Sequence, residues 1–194
     1  TPENVQIIID ETKRLTNLVN DMLDLSKLQA GVQELHAVSM NLTDEIRSII
    51  ERYETLLKQD EYDIRFEYRE DVIIQGDVIK LDQVIYNLIN NAINYSGEDH
   101  QVIVKQLLEL GRVRIEIIDH GPGIEKDKLA YIWERYYKVD KTHVRSRVGS
   151  GLGLSIVKAV LELHKAEYGV LSEEGVGSTF WFSLPYSKSQ NEDG

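Results

Sequence analysis

Apolar residues recur every three or four positions over residues 1–31, which is the spacing of one helix face. Thr1 and Pro2 give a start signal, because a hydroxyl residue followed by proline is typical of a helix N-terminus, and Gly31 marks the end. The pattern predicts one long bundle or coiled-coil helix whose narrow apolar seam consists of Val5, Ile8, Leu15, Leu18, Met22, Leu25 and Leu28.

After this helix, short strands and helices are mixed. Alternating apolar positions predict strands near residues 35–38, 64–68, 102–108, 113–118, 168–172 and 178–184, with 72–74 as a short partner of 64–68. Helical spacing predicts a helix capped by Asn41, one from about Asp77 to Tyr95, short segments up to Lys138, and one from Leu152 to His164. Adjacent hairpins favour an α+β layer structure over a doubly wound parallel sheet, and the polar residues 186–194 predict a disordered tail.

Composition excludes several kinds of site. The chain has 194 residues and no cysteine, so disulfides, thiolate zinc sites and cysteine nucleophiles are excluded. A net charge of −11 argues against nucleic acid or anionic lipid as a partner of the whole surface. No apolar stretch is long enough to span a membrane, so any membrane anchor is expected outside these residues.

Four asparagines lie in the helix predicted from Asp77 to Tyr95. Positions 87, 91 and 94 fall on one side of a helix, with Asn90 next to them. Asparagine is a mediocre helix former, so lysine or glutamate would suit a merely solvated face better. Amide oxygens converging on one face could bind a hard cation such as Mg²⁺.

Three glycine-rich segments follow. DHGPGI (119–124) places a carboxylate at the end of a strand, where it can accept a hydrogen bond from an exocyclic amine. GSGLGL (149–154) opens a helix and can direct backbone N–H groups at an anion, although it matches neither a dinucleotide-binding fingerprint nor a P-loop. GVGSTF (175–180) is a glycine turn into a strand. Each segment alone is compatible with an ordinary turn.

The order of these segments resembles the ATP-binding domain of sensor histidine kinases, in the superfamily that includes type II topoisomerase, mismatch-repair and heat-shock-chaperone ATPases. NLINNAINYS resembles the N box of that family, WERYYK its aromatic box, and the three glycine segments its three glycine boxes. The resemblance implies a two-layer sandwich, with helices on one face of a mixed sheet, over residues 34–185. Residues 1–31 resemble the second helix of the dimerisation and phosphoacceptor hairpin.

The resemblance also implies the site residues. Asn91 would bind Mg²⁺, with Asn87 beside it, and Arg147 would act on the triphosphate during catalysis. Asp119 would bind the adenine amino group. The other nucleotide contacts implied are Asn94, Tyr95, Gly121, Gly123, Ile124, Tyr137, Lys138, Arg145, Gly149, Ser150, Gly151, Leu152, Gly153, Leu154 and Thr179, several of them in a lid over residues 137–150.

Three departures from the family pattern bear on mechanism. Asn94 stands where lysine is usual, but residues 135–147 carry five basic residues and one acidic residue, a local charge of +4 that could contact a triphosphate. Asn87 stands where hydrolysing relatives have the glutamate that activates water, which favours phosphoryl transfer over hydrolysis. No histidine is followed by an acidic residue, so the phosphate acceptor is expected on a preceding hairpin helix.

The leading hypothesis is the catalytic part of a sensor histidine kinase, with ATP and Mg²⁺ as cofactors. Its expected partners are a second copy, through the hairpin bundle of the parent protein, and the receiver domain of a response regulator. The domain is expected in the cytoplasm, with the parent protein in the cell membrane. The alternatives are an ATPase or chaperone-type clamp and a nucleotide-sensing module without kinase activity; serine kinases of the anti-sigma type lack the long apolar seam.

Overall fold

The computed structural model describes residues 2–56, 62–134 and 152–188. These ranges contain four helices: α1 (Pro2–Gln29), α2 (Leu42–Leu56), α3 (Val78–Tyr95) and α4 (Gly153–Leu163). They also contain eight strands: β1 (Val38–Asn41), β2 (Asp63–Glu67), β3 (Val72–Gly76), β4 (Gln101–Glu109), β5 (Arg112–Asp119), β6 (Glu167–Glu173), β7 (Gly177–Pro185) and β8 (Ser187–Lys188).

Five of these strands form a mixed sheet in the order β2-β4-β5-β7-β6. Strand β2 runs parallel to β4, and the other neighbours are antiparallel. A smaller antiparallel sheet has the order β1-β3-β8. Helices α2, α3 and α4 contribute to one hydrophobic core with the buried face of the larger sheet. This two-layer arrangement, preceded by a long helix, confirms the predicted fold class.

Strict alternation along β4 and β5 creates the buried face. Val113, Ile115 and Ile117 are fully buried, whereas the residues between them are half-exposed. Leu110 and Gly111, with φ of 48° and 80°, close the hairpin in a two-residue turn of the type that strand twist favours. The last residue of β5, Asp119, therefore lies on the helix-covered side of the sheet.

Helix α1 starts and ends close to the predicted positions. It begins at Pro2, and Gly31 follows its C-terminus with a φ of 66°. Leu25 is 1% exposed, and Leu18 and Leu28 pack against the core. The rest of the predicted seam is exposed: Val5, Ile8, Leu15 and Met22. Within the described ranges, no helix is sufficiently long and apolar to span a bilayer.

The smaller sheet differs from the sequence prediction in two ways. The first strand covers Val38–Asn41 and not residues 35–38, because the His36 N–H donates to a carboxylate oxygen of Asp77, 3.1 Å away, in place of a strand partner. Strand β3 pairs with β1 and β8, whereas its predicted partner β2 pairs with β4. An alternating pattern identifies a strand's buried face, but the pairing partner depends on tertiary packing.

Two further expectations need correction. Residues 125–134 form consecutive turns with N–H groups bonded three residues back, and not helical segments, while residues 135–138 lie outside the described ranges. The sequence predicts a disordered tail over residues 186–194, but Ser187 and Lys188 form β8 against Val72 and Ile73. Residues 189–194 are outside the described ranges.

Candidate functional site

Asp119 is a buried carboxylate at the end of β5. Its side chain is 2% exposed and accepts hydrogen bonds from the backbone N–H groups of Gly121, at 2.9 Å, and of Ser178. Burial raises the pKa of Asp119 to about 6, while these two hydrogen bonds oppose the rise. Near pH 7.5 the group is therefore mainly ionised and can accept a hydrogen bond from a ligand amine.

The chain after Asp119 passes unusually close to two other segments. A Cβ atom on Gly121 would lie 1.7 Å from the Tyr95 carbonyl oxygen, and one on Gly123, whose φ is 72°, would lie 2.1 Å from the Glu173 carbonyl oxygen. Only glycine fits at these two positions. The Ile124 N–H donates to Ser172 Oγ at 2.8 Å, so the loop is tied to the C-terminus of α3 and to β6.

Helix α3 carries the four asparagines in two environments. Asn90 is buried, and its Oδ1 accepts a hydrogen bond from the Tyr53 hydroxyl, so this amide belongs to the core. Asn87, Asn91 and Asn94 are only partly buried and share one side of the helix. The grouping of Asn87, Asn91 and Asn94 agrees with their spacing, whereas the burial of Asn90 was not predicted.

Helix α4 brings Gly153, near the end of the GSGLGL segment, next to the side of α3 that carries Asn87, Asn91 and Asn94, called here the asparagine face. A Cβ atom on Gly153 would lie 3.6 Å from Asn87 Oδ1. Leu152, which precedes the helix, is buried, and Leu154 is partly buried. An anion at the start of α4 would thus lie close to Asn87, within reach of free backbone N–H groups in the first turn.

The chemistry of this face suits a hard cation that is also held by phosphate. In the described part of the chain, no group of three or more His, Asp or Glu side chains could hold a metal ion. Amide oxygens on α3 offer few protein ligands, which matches Mg²⁺ because it retains water and phosphate oxygens. Asn87 and Asn91, four residues apart, could therefore hold Mg²⁺ together with a nucleotide.

Several predicted site residues lie outside the described ranges. They are Tyr137, Lys138, Arg145, Arg147, Gly149, Ser150 and Gly151, together with the rest of the basic segment 135–147. Tyr95 is described: it is the last residue of α3, its side chain is 39% exposed, and its carbonyl oxygen lies against Gly121. The proposed contact of Tyr95 with a base stays a prediction.

The predicted nucleotide contact of Thr179 needs correction. Strands β5 and β7 pair so that Asp119 opposes Ser178, whereas Thr179 opposes Ile118. Directly opposed residues share a face and successive residues alternate, so Thr179 points away from the face that holds Asp119. Ser178, which is 8% exposed, is the neighbouring hydroxyl residue that lies on the Asp119 face.

Ser172 is a further residue beside Ser178 that the sequence patterns did not identify. Its Oγ lies 2.9 Å from Ser178 Oγ, and the two serines are opposed in the β6–β7 pairing. The sequence signal that could have identified Ser172 is the Glu174-Gly175 turn, because the hairpin register that follows from it opposes Ser172 to Ser178. The pairing of β7 with β5 then puts both serines on the Asp119 face.

Comparison with known proteins identifies the relatives of this chain. A family profile described as "Histidine kinase-, DNA gyrase B-, and HSP90-like ATPase" matches residues 76–188. Sensor histidine kinase WalK of Bacillus subtilis (strain 168) is 34% identical over 99% of the chain, which covers 32% of WalK. Sensor protein kinase WalK of Staphylococcus aureus is also 34% identical over 99% of the chain, which covers 46% of that relative. The chain therefore spans less than half the length of either protein.

Solved structures agree with the sequence relatives. Full-length ShkA in complex with AMPPNP superimposes with a TM-score of 0.81 at 27% identity, over 96% of this chain and 39% of ShkA. Histidine kinase ThkA in complex with the response regulator protein TrrA gives a TM-score of 0.75 at 25% identity, over 95% of this chain and 51% of ThkA. The chain belongs to the family of histidine kinase-, DNA gyrase B- and HSP90-like ATPases, as a domain of the type found in sensor histidine kinases.

Proposed function

We propose that this chain binds Mg²⁺-ATP and transfers the γ-phosphoryl group to a histidine on a hairpin helix, for relay to an aspartate of a response regulator. The observation that carries the proposal is the buried Asp119 carboxylate, fixed by two backbone N–H groups, at the end of the sheet and followed by glycines that admit close approach. A buried, ionisable acceptor next to a glycine loop suits the amino group of adenine.

Nucleotide binding is expected to extend from Asp119 to the asparagine face. The base would lie between the glycine loop and Tyr95, and the phosphates would extend toward Asn87, Asn91 and the start of α4. The contact of Gly153 with Asn87 supports this path, because it joins the glycine box to the asparagine face. Basic residues in segment 135–147, among them Arg145 and Arg147, would neutralise phosphate charge in place of the lysine that Asn94 replaces.

Transfer to protein is favoured over hydrolysis. Bound Mg²⁺ would neutralise charge on the phosphates. Asn87 stands one helical turn before Asn91, and an amide cannot take a proton from water as a carboxylate can. The residues of this chain would therefore position and polarise the γ-phosphate, while an external imidazole attacks it in line.

The surface of α1 supports the proposed partners. Its first two-thirds expose large apolar side chains, which a second hairpin helix would cover: Val5, Ile7, Ile8, Leu15, Val19 and Met22. We propose that residues 1–31 belong to such a hairpin in a homodimeric parent protein, and that residues 34–185 form the ATP-binding unit. The ThkA–TrrA complex supports a response regulator as the second partner. A cytoplasmic location, with a membrane-bound parent, is part of the same proposal.

Titration calorimetry tests the nucleotide part of this proposal. The chain is expected to bind ATP in the presence of Mg²⁺ with a higher affinity than in the presence of a chelator, because the cation links phosphate to Asn91. Failure to bind ATP under either condition would contradict the proposal.

The proposed position of the adenine site predicts that substitutions of the adjacent residues Ser178 and Thr179 have unequal effects on ATP affinity. Ser178→Ala is expected to weaken ATP binding by about five- to tenfold, the worth of one hydrogen bond to a buried group. Thr179→Val, the matched control, keeps the shape of a side chain on the opposite face and should change affinity less than about twofold. Equal losses in the two variants would show that the strand register does not determine adenine contact.

Acid is expected to weaken ATP binding through Asp119. Its pKa of about 6 means that the carboxylate acceptor is present above that pH and is lost as pH falls through it. If binding requires the ionised form, affinity at pH 5 should be about tenfold lower than at pH 7.5. Asp119→Asn does not titrate, so the same pH series on this variant isolates the contribution of Asp119 from titration of the nucleotide itself.

A further inference from the structure

A pair of serine hydroxyls lies beside the Asp119 carboxylate. Ser172 on β6 and Ser178 on β7 are opposed in the strand pairing, and their Oγ atoms are 2.9 Å apart. The Ser178 N–H donates to the Asp119 carboxylate. The Ser178 hydroxyl therefore stands next to the acceptor that would bind the amino group of adenine.

The contacts of Ser172 favour one direction for the hydrogen bond between the two hydroxyls. A hydroxyl carries one hydrogen and two lone pairs. Ser172 Oγ accepts the Ile124 N–H at 2.8 Å and lies 3.0 Å from the Gly177 carbonyl oxygen, which can only accept. Because Gly177 offers only an acceptor, we assign the one hydrogen of Ser172 to Gly177, and the second lone pair of Ser172 then accepts the hydrogen of Ser178.

This arrangement determines what Ser178 can offer to a ligand. Once its hydrogen is bonded to Ser172, its oxygen presents only lone pairs. The ligand then meets two neighbouring acceptors, the Asp119 carboxylate and Ser178 Oγ. An amino group has two hydrogens and can satisfy both, whereas a carbonyl oxygen at the same position would face only lone pairs.

We propose that Ser172 is a positioning residue that holds the Ser178 hydroxyl as an acceptor and thereby makes the site select purines with a 6-amino group over purines with a 6-oxo group. The proposal rests on the proposed ATP-binding function and adds the residue that sets base specificity. Loss of Ser172 would free the Ser178 hydrogen to donate to a 6-oxo group. Discrimination would then fall even though neither Asp119 nor Ser178 is changed.

Binding of ATP and inosine triphosphate to the wild-type chain and to serine variants tests this role. Wild type should prefer ATP, and Ser172→Ala should reduce the ATP-to-ITP affinity ratio by roughly tenfold, the worth of one well-placed hydrogen bond. Ser172→Thr keeps the hydroxyl and should restore the ratio. In a Ser178→Ala background, Ser172→Ala should change the ratio no further, because Ser172 acts through Ser178.

The ATP-to-ITP affinity ratio distinguishes positioning of the Ser178 hydroxyl from a general loosening of the fold. If Ser172 only anchored the Ile124 N–H, its loss would weaken the binding of ATP and ITP equally and leave the ATP-to-ITP affinity ratio unchanged. That result would overturn the proposal. If Ser172→Ala does not fold, Ser172→Cys provides the same comparison, because a thiol is a weak acceptor. An unchanged ratio in a folded Cys variant would also overturn it. Failure of the proposed ATP function is distinct, since wild type would then bind neither nucleotide.

Discussion

Asn91→Ala is expected to weaken Mg²⁺-ATP binding by at least about tenfold and to remove nearly all dependence of ATP affinity on Mg²⁺. Asn91 is partly buried on the same side of α3 as Asn87, and truncation removes the amide oxygen proposed to bind the cation. The remaining ligands would be water, phosphate and Asn87, and Asn87 alone is expected to hold the cation only weakly. Calorimetric titrations with ATP, in excess Mg²⁺ and in a chelator, measure both effects.

Asn90→Ala provides the control for this experiment. It removes the same amide one position earlier, where the side chain is buried and bonded to Tyr53. This variant should lose about 1–3 kcal/mol of folding stability because a buried amide is removed and the Tyr53 hydroxyl keeps only the Tyr86 carbonyl oxygen as an acceptor, but its response to Mg²⁺ should match that of wild type. An Asn91→Ala protein that keeps the wild-type Mg²⁺ dependence would refute the metal assignment.

Asp119→Asn is expected to lower ATP affinity without lowering the folding stability of the chain. ATP affinity should fall by roughly 10- to 100-fold, because the amide replaces half of the carboxylate's acceptors with a donor that opposes the adenine amino group. Folding stability at pH 8 should not fall. The pKa of Asp119 is about 6 against an ordinary value of 3.8, so keeping this group ionised in the folded chain costs about 3 kcal/mol.

The pH dependence of stability supplies a second check on Asp119. A carboxyl group with a raised folded pKa destabilises the folded state above that pKa, and the penalty is relieved as pH falls from about 6 toward 3.8. The difference in urea unfolding free energy between Asp119→Asn and wild type should therefore be larger at pH 8 than at pH 5. Asp99→Asn, which changes an exposed carboxylate paired with His120, should leave ATP affinity nearly unchanged. A large loss of stability at pH 8 in Asp119→Asn would contradict this account.

Sequence patterns predicted the parts of the fold that depend on local periodicity. The apolar positions of α3 and the alternation in β4 and β5 specify one buried face each, so their bounds were right to within a residue or two. The predicted start of α3 near Asp77 was also right, and the structure shows why: the Asp77 side chain accepts the Lys80 N–H as an N-cap. These features require only neighbours along the chain.

The errors arose where partners are distant in sequence. Choosing between Ser178 and Thr179 requires the register of β7 against β5, and a shift of one residue moves every side chain to the other face. Ser172 depends on a third strand in addition. The position of β1 depends on Asp77, which binds the His36 N–H from 41 residues away. The register of β7 against β5 and the contact of His36 with Asp77 follow from tertiary packing and leave no local pattern.

The most direct test of the central claim is phosphoryl transfer to a separately supplied hairpin domain that carries a histidine followed by an acidic residue. With Mg²⁺ and γ-labelled ATP, the account predicts label on the hairpin histidine as an acid-labile, base-stable phosphoramidate, strongly reduced by Asn91→Ala. ATP binding without any label on the hairpin would contradict the kinase claim and favour a nucleotide-sensing module, and rapid steady ATP hydrolysis without transfer would contradict it in favour of a clamp ATPase.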